Sequence, residues 1–219
     1  LSAFGFVYLP LASRLDAAGD HGELDAVYAV VAKWVYVITF PGFLAFAAFP
    51  RDVLTVFFGA PYAGGAPALT LLAVGFLVNA AAGRNRQTLS ALGHTAPLMM
   101  MTGVTFAVNL GANLLLVPRY GLLGAAAASA ASYTTLNVVV CAYLRRRFAI
   151  DPLTGANVRT YLGLLALLPV AAGLSRVVTL DALSLPAFLV CAGVAALVVV
   201  AAVGGLQPDD DVVVAFVED

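Results

Sequence analysis

Apolar residues in this chain come in long blocks, with neither the two-residue alternation of half-buried strands nor the stripe of a surface helix. Six blocks, about 26–49, 66–83, 95–117, 120–144, 160–180 and 183–206, each approach the ~20 residues that a helix needs to cross a hydrocarbon core. The second is expected to continue as helix to about residue 92. Between the blocks lie turn formers: Pro50, GAPYAGG at 59–65, LGHTAP at 92–97, VPRYG at 117–121 and DPLTGAN at 151–157. In hydrocarbon every backbone polar group must be met from within the structure, and the short alternating pattern of barrel strands is missing, so the blocks predict helices. RDVLTVFFG (51–59) reads as a short interfacial helix, charged at its start and ending on Phe57 and Phe58.

Composition sharpens this picture. The chain is 62% hydrophobic and 11% charged, with a mean hydropathy of +0.98, against roughly half and a quarter for soluble domains. The expected fold is all-α, a polytopic membrane helix bundle. A formal net charge of −1 and the lack of a basic block give no sign of a nucleic-acid partner. Cys141 and Cys191 each sit inside an apolar run with no CxxC partner, so they read as buried or lipid-facing small residues. No Walker A loop, HExxH or GxSxG is present, and the sequence calls for no enzyme chemistry, no cofactor and no metal.

The opening LSAFGFVYLPLA (1–12) lacks the basic start and cleavage site of a signal peptide. It reads as the end of a truncated transmembrane helix, which makes the chain a fragment, the C-terminal part of a longer transporter. The expected organisation then continues with a cytoplasmic connector at 13–25 and a bundle of four spans at 26–145. A cytoplasmic loop at 146–159, two additional spans at 160–206 and an acidic cytoplasmic tail at 207–219 complete it. Orientation follows from the basic residues. One side collects Arg14, Arg84, Arg86, Arg145, Arg146, Arg147 and Arg159, the other only Arg51, Arg119 and Arg176, and the richer side is read as cytoplasmic. The Arg145–Arg147 run is most simply a stop-transfer anchor, with phosphate binding as the alternative.

Polar residues inside spans are the places where a pathway would show. Thr102, Thr105, Asn109 and Asn113 recur at three and four residues and share a helix face, which would either glue two helices together or line a cavity. Gly124 through Ser132 is dense in small residues and reads as a close-packing surface. Asn79, Arg84, Asn85 and Arg86 cluster near the basic end of their helix, as anchors or as inward-facing phosphate ligands. Lys33, the one lysine, lies in VVAKWVYVITFPGF (30–43), eight residues before Pro41. It would sit either at the interface beside Trp34 or in a wet vestibule facing an anionic substrate, and Pro41 marks a possible hinge.

Several of these stretches together carry a family likeness. YLPLASRL (8–15), the Lys33–Pro41 helix, VLTVFFGAPYAGGAPALTLL (53–72), LSALGHT (89–95) and NLGANLLLVPRYGLLGAAAASAAS (109–132) follow in order. The chain resembles the C-terminal lobe of the polysaccharide biosynthesis and export flippases, in the superfamily of the multidrug and oligosaccharidyl-lipid exporters. The likeness covers about residues 1–145, with the last two spans as extra helices. It implies a two-lobed, alternating-access fold that moves a lipid-linked oligosaccharide, of the polyprenyl or dolichyl phosphate type, across the cell membrane for surface glycan biosynthesis. Partners so implied are this substrate, membrane lipid and an N-terminal lobe that these residues do not include. Carried across, the cavity candidates are Lys33, Arg84, Arg86, Asn109 and Asn113. The alternatives are a multidrug extrusion-type antiporter and a non-transporting truncated membrane protein.

Overall fold

A computed structural model describes residues 2–206, so the acidic tail expected at 207–219 lies outside the described residues. Among the described residues the ordered elements are all helices: α1 (Ser2–Ala18), α2 (His21–Ala48), α3 (Pro50–Phe58), α4 (Ala66–Ala81), α5 (Asn85–Ala91), α6 (Thr95–Tyr120), α7 (Leu122–Phe148), α8 (Gly155–Leu165), α9 (Leu168–Leu174) and α10 (Ser184–Ala202). A 3-10 stretch, Ala60–Gly65, leads into α4. Six of these helical runs are long and apolar enough to span a bilayer: His21–Ala48, Ala60–Ala91, Thr95–Tyr120, Leu122–Phe148, Gly155–Leu174 and Ser184–Ala202. The chain is a multi-pass membrane helix bundle.

Packing places α2 at the centre, where it meets α1, α3, α4, α8, α9 and α10, while α4 bridges α2 to α7 and α6 rests mainly on α7. Burial follows this order. Of its most apolar window α2 hides 67%, whereas α6 hides 6%. Lipid tails are as apolar as leucine, so no hydrophobic gain drives such helices together, and close packing must do so. Gly75 of α4 supplies it against α7: a Cβ there would lie 2.9 Å from the Ala130 backbone. Large side chains on α6, Val104, Phe106, Leu114 and Leu115, stay exposed. A contiguous apolar face of this kind would be an aggregation liability in water, but in hydrocarbon it is an ordinary lipid surface.

The helix ends depart from the sequence expectation in three places. The segment expected as a connector, 13–25, is helical on both sides of one corner. Gly19, at φ +74, ends α1, and the Asp20 carboxylate accepts the Glu23 amide at 3.0 Å to start α2. The expected 160–180 span is two pieces, because Pro169, in the first turn of α9, has no N–H to continue α8. Its helix also stops at Leu174, short of residue 180. The expected run from 66 to 92 is interrupted between α4 and α5. The short helix expected at 51–59 is present as α3, and Phe57 and Phe58 are exposed.

A candidate site at a break in a membrane span

The interruption between α4 and α5 lies at Ala82–Arg84, and its cause is local. Gly83 has φ +62, a left-handed conformation that glycine adopts without penalty. It also presses on α2, since a Cβ at Gly83 would sit 2.6 Å from the Ala32 Cβ. A break in a span strands backbone carbonyls, and each left unmet in hydrocarbon would cost ~1–3 kcal/mol or more. Two are met by tyrosines from neighbouring helices. The Tyr28 hydroxyl donates to the Ala82 carbonyl at 2.6 Å and the Tyr161 hydroxyl to the Ala81 carbonyl at 3.3 Å.

Beyond the break a ladder of amides crosses to α7. The buried Asn85 donates through Nδ2 to Asn137 Oδ1 at 2.9 Å. Asn137, also buried, donates to Asn79 Oδ1 at 3.1 Å and to the Tyr133 carbonyl at 2.8 Å. On the other flank, the Tyr8 hydroxyl lies 2.6 Å from Thr88 Oγ1, and Thr88 in turn donates to the Arg84 carbonyl at 3.0 Å. Side chains from α1, α2, α7 and α8 therefore hold one discontinuity in place.

Arg84 stands out within this arrangement. Its Nε and Nη2 atoms are buried and have no hydrogen-bond partner among the described residues. Such an orphan is uncommon in a native structure and calls for an explanation. A guanidinium held partly out of water, with unmet donors, favours an anionic acceptor, and its planar fork matches two oxygens of a phosphate or carboxylate.

The other expected site residues fall in different places. Lys33 is 1% exposed and donates through Nζ to the Gly205 carbonyl at 2.7 Å, with its ammonium 5.8 Å from the Trp34 ring centroid. It thus ties the centre of α2 to the end of α10, next to the Ala32 that clamps Gly83. Because α2 begins at His21, Lys33 lies ~18 Å along the helix axis from its start, with the polar HGELD turn preceding the apolar part of the helix. Arg86 is exposed. Asn109 donates to Ser132 Oγ at 3.0 Å, and Asn113 donates to Asn109 Oδ1 at 3.1 Å, so this face of α6 is fastened to α7. Pro41 lies within an uninterrupted α2, and a Cβ at Gly193 of α10 would come 3.9 Å from its ring.

Two cavities flank the amide ladder. One, of about 680 Å³, opens between α4, α7 and the loop after α7, and Ala81, Ala82, Asn137, Cys141, Arg145 and Asp151 are among its lining residues. The second, about 320 Å³, lies between α2 and α4 and is walled by Phe43, Phe46, Phe76, Leu77 and Asn79. The hydrogen-bonded pair Asn79 and Asn137 spans from one to the other. None of the five cavity candidates, Lys33, Arg84, Arg86, Asn109 and Asn113, lines either of these two cavities, although Ala82, two residues before Arg84, lines the larger one. Sequence reasoning found Asn79, Arg84 and Asn85, but missed Asn137, Tyr28 and Tyr161. The signal available for those three was a polar tip within an otherwise apolar span.

The chain matches no protein-family profile, and no solved structure matches it. It is similar to an uncharacterized membrane protein of Methanocaldococcus jannaschii, with 29% identity over 133 residues. That alignment takes in 59% of this chain and 25% of the archaeal protein, so the chain matches about a quarter of that relative's length.

Proposed function

We propose that this chain forms part of a transporter, the C-terminal lobe of a flippase that carries a lipid-linked oligosaccharide across the cell membrane for surface polysaccharide biosynthesis. The observation that carries the reading is Arg84, a partly buried cation with unmet donors at a break in a membrane span. Discontinuous helices are a usual place where transporters put charged-group ligands, because irregular backbone is tolerated only where it is packed or lines a cavity. The ordered set of sequence likenesses at 8–15, 53–72, 89–95 and 109–132 supports the same reading.

In this account Arg84 receives the phosphate oxygens that link sugar to lipid. The Tyr28 and Tyr161 hydroxyls and the Asn79–Asn137–Asn85 ladder hold the break rigid, so the guanidinium does not relax toward lipid. Lys33 keeps α10 on α2 and thereby fixes Ala32 against Gly83. Asn109 and Asn113 keep α6 on α7. Arg86, exposed at the same end, draws anionic head groups toward the entrance. Rocking of this lobe against an N-terminal one would expose the bound head group to either side.

Cells that depend on the full-length transporter for glycan export provide the test. Arg84→Gln is expected to reduce export at least about tenfold, the worth of one charge-assisted contact, at unchanged protein abundance, while Arg84→Lys keeps part of the activity. Export at the parental rate by Arg84→Gln at equal abundance would remove Arg84 from the pathway.

A further inference from the structure

The basic run at the end of α7 does more than mark a membrane boundary. Arg145 and Arg146 both line the 680 Å³ cavity, and so do the apolar Val78, Val138 and Leu153. Arg145 Nε is 3.3 Å from Asp151 Oδ2, another lining residue. The loop carrying Asp151 is itself pinned: the Asp151 amide donates to Asp25 Oδ1 at 2.7 Å, and Asp151 Oδ1 accepts the Leu153 amide at 2.9 Å. Among the residues that line the cavity, two guanidinium groups stand against the one carboxylate of Asp151, while Asp25, which does not line it, pins the loop.

We propose that this cleft between α4 and α7 holds the head group of an anionic membrane phospholipid. From Arg145 to Val138 the cleft descends seven residues along α7, ~10 Å at the helical rise. That depth crosses the polar layer of a leaflet, roughly 5–8 Å thick, and enters the first part of the acyl region. The chemistry changes in the same sense, from arginines at the rim to valines below, and it matches a phosphate joined to glycerol and the top of a fatty chain. A basic pocket between membrane-spanning helices is the kind of site at which anionic head groups are retained. Free phosphate would meet the arginines but gain nothing from Val78, Val138 or Leu153. Arg84 does not line this cleft, though Ala82 of the same break does, and the proposal does not depend on the transport reading.

Cys141, a lining residue, serves as a built-in reporter. With Cys191 replaced by serine, the protein in bilayer nanodiscs is treated with a small uncharged thiol reagent. The discs hold either phosphatidylcholine alone or phosphatidylcholine with phosphatidylglycerol. A Gly155→Cys protein lacking both native cysteines, labelled in parallel at the same end of the bundle, corrects for the effect of lipid charge on thiol ionisation. Phosphatidylglycerol is expected to slow Cys141 labelling about tenfold relative to that reference. The protection should vanish in Arg145→Gln/Arg146→Gln, and millimolar inorganic phosphate in neutral discs should not reproduce it. Equal relative rates in the two lipids, or protection that survives in the double variant, would overturn the proposal. Protection by inorganic phosphate alone would replace the lipid with a soluble anion.

Discussion

Gly83 and Arg84 are adjacent, and each would be unfavourable elsewhere in a span. Gly83 takes a backbone conformation costly for other residues, and it has no room for a side chain. Gly83→Ala should therefore lower stability by roughly 1–3 kcal/mol or more, read as a fall in melting temperature in detergent. An unchanged melting temperature would show that the α4–α5 break is not clamped on Ala32. Arg84 carries the opposite expectation. Removing a buried charge with unmet donors relieves a desolvation cost, so Arg84→Met should leave stability unchanged or raise it. A marked loss of stability in that variant would make Arg84 a structural residue. Arg84 was visible in the sequence as one of a polar cluster, but Gly83 was not, since the helix was expected to run through it to about residue 92. Nor were the partners of either. Ala32, Tyr28 and Tyr161 come from other helices, and the carbonyl met by Lys33 lies 172 residues away. No local pattern encodes such pairings.

At the scale of helices, the six spans were readable because block length against bilayer thickness is a strong signal. Interruptions were harder. Pro169 could be read as a stop, but the α4–α5 break rests on one glycine and a tertiary contact, and a glycine inside an apolar run does not by itself end a helix. The connector at 13–25 looked like loop because its residues are polar, yet polarity does not oppose helix once Asp20 caps the start of α2. Asp181 works in the same way before α10: its carboxylate accepts the Ser184 and Leu183 amides and the Ser184 hydroxyl. Those bonds from Ser184, then Leu183, hold its carboxyl below the ordinary value of 3.8. A depressed folded-state value contributes stability above the unfolded one and loses it as pH falls through the folded one. Amide exchange at Leu183 and Ser184, normalised for its intrinsic pH dependence, should accelerate only below about pH 4. In Asp181→Asn that acid-dependent step should disappear, and its persistence would assign the step to another group.

For the molecule as a whole, the structure gathers one set of ends together. The start of α8 reaches α2 through Asn157, which donates to the Ala29 carbonyl at 2.8 Å, and the end of α10 reaches it through Gly205. Asp151, after α7, meets Asp25, and the α4–α5 break meets Ala32. Arg84, Arg145, Arg146, Arg147 and Arg159 all belong to these segments. Asp52 joins the opposite ends by accepting the Leu180 amide at 2.8 Å. If the arginine-rich end faces the cytoplasm, as the charge bias predicts, a cysteine at Gly155 will resist a membrane-impermeant reagent in intact cells and react after permeabilisation. Ready labelling in intact cells would invert the orientation. The central claim, that the break at Arg84 receives the phosphate of a lipid-linked passenger, is tested most directly by equilibrium binding of a polyprenyl diphosphate to the purified protein in nanodiscs. The account predicts saturable binding that weakens at least about tenfold in Arg84→Gln while persisting in Arg145→Gln/Arg146→Gln. Equal affinity of the parent and Arg84→Gln would contradict it.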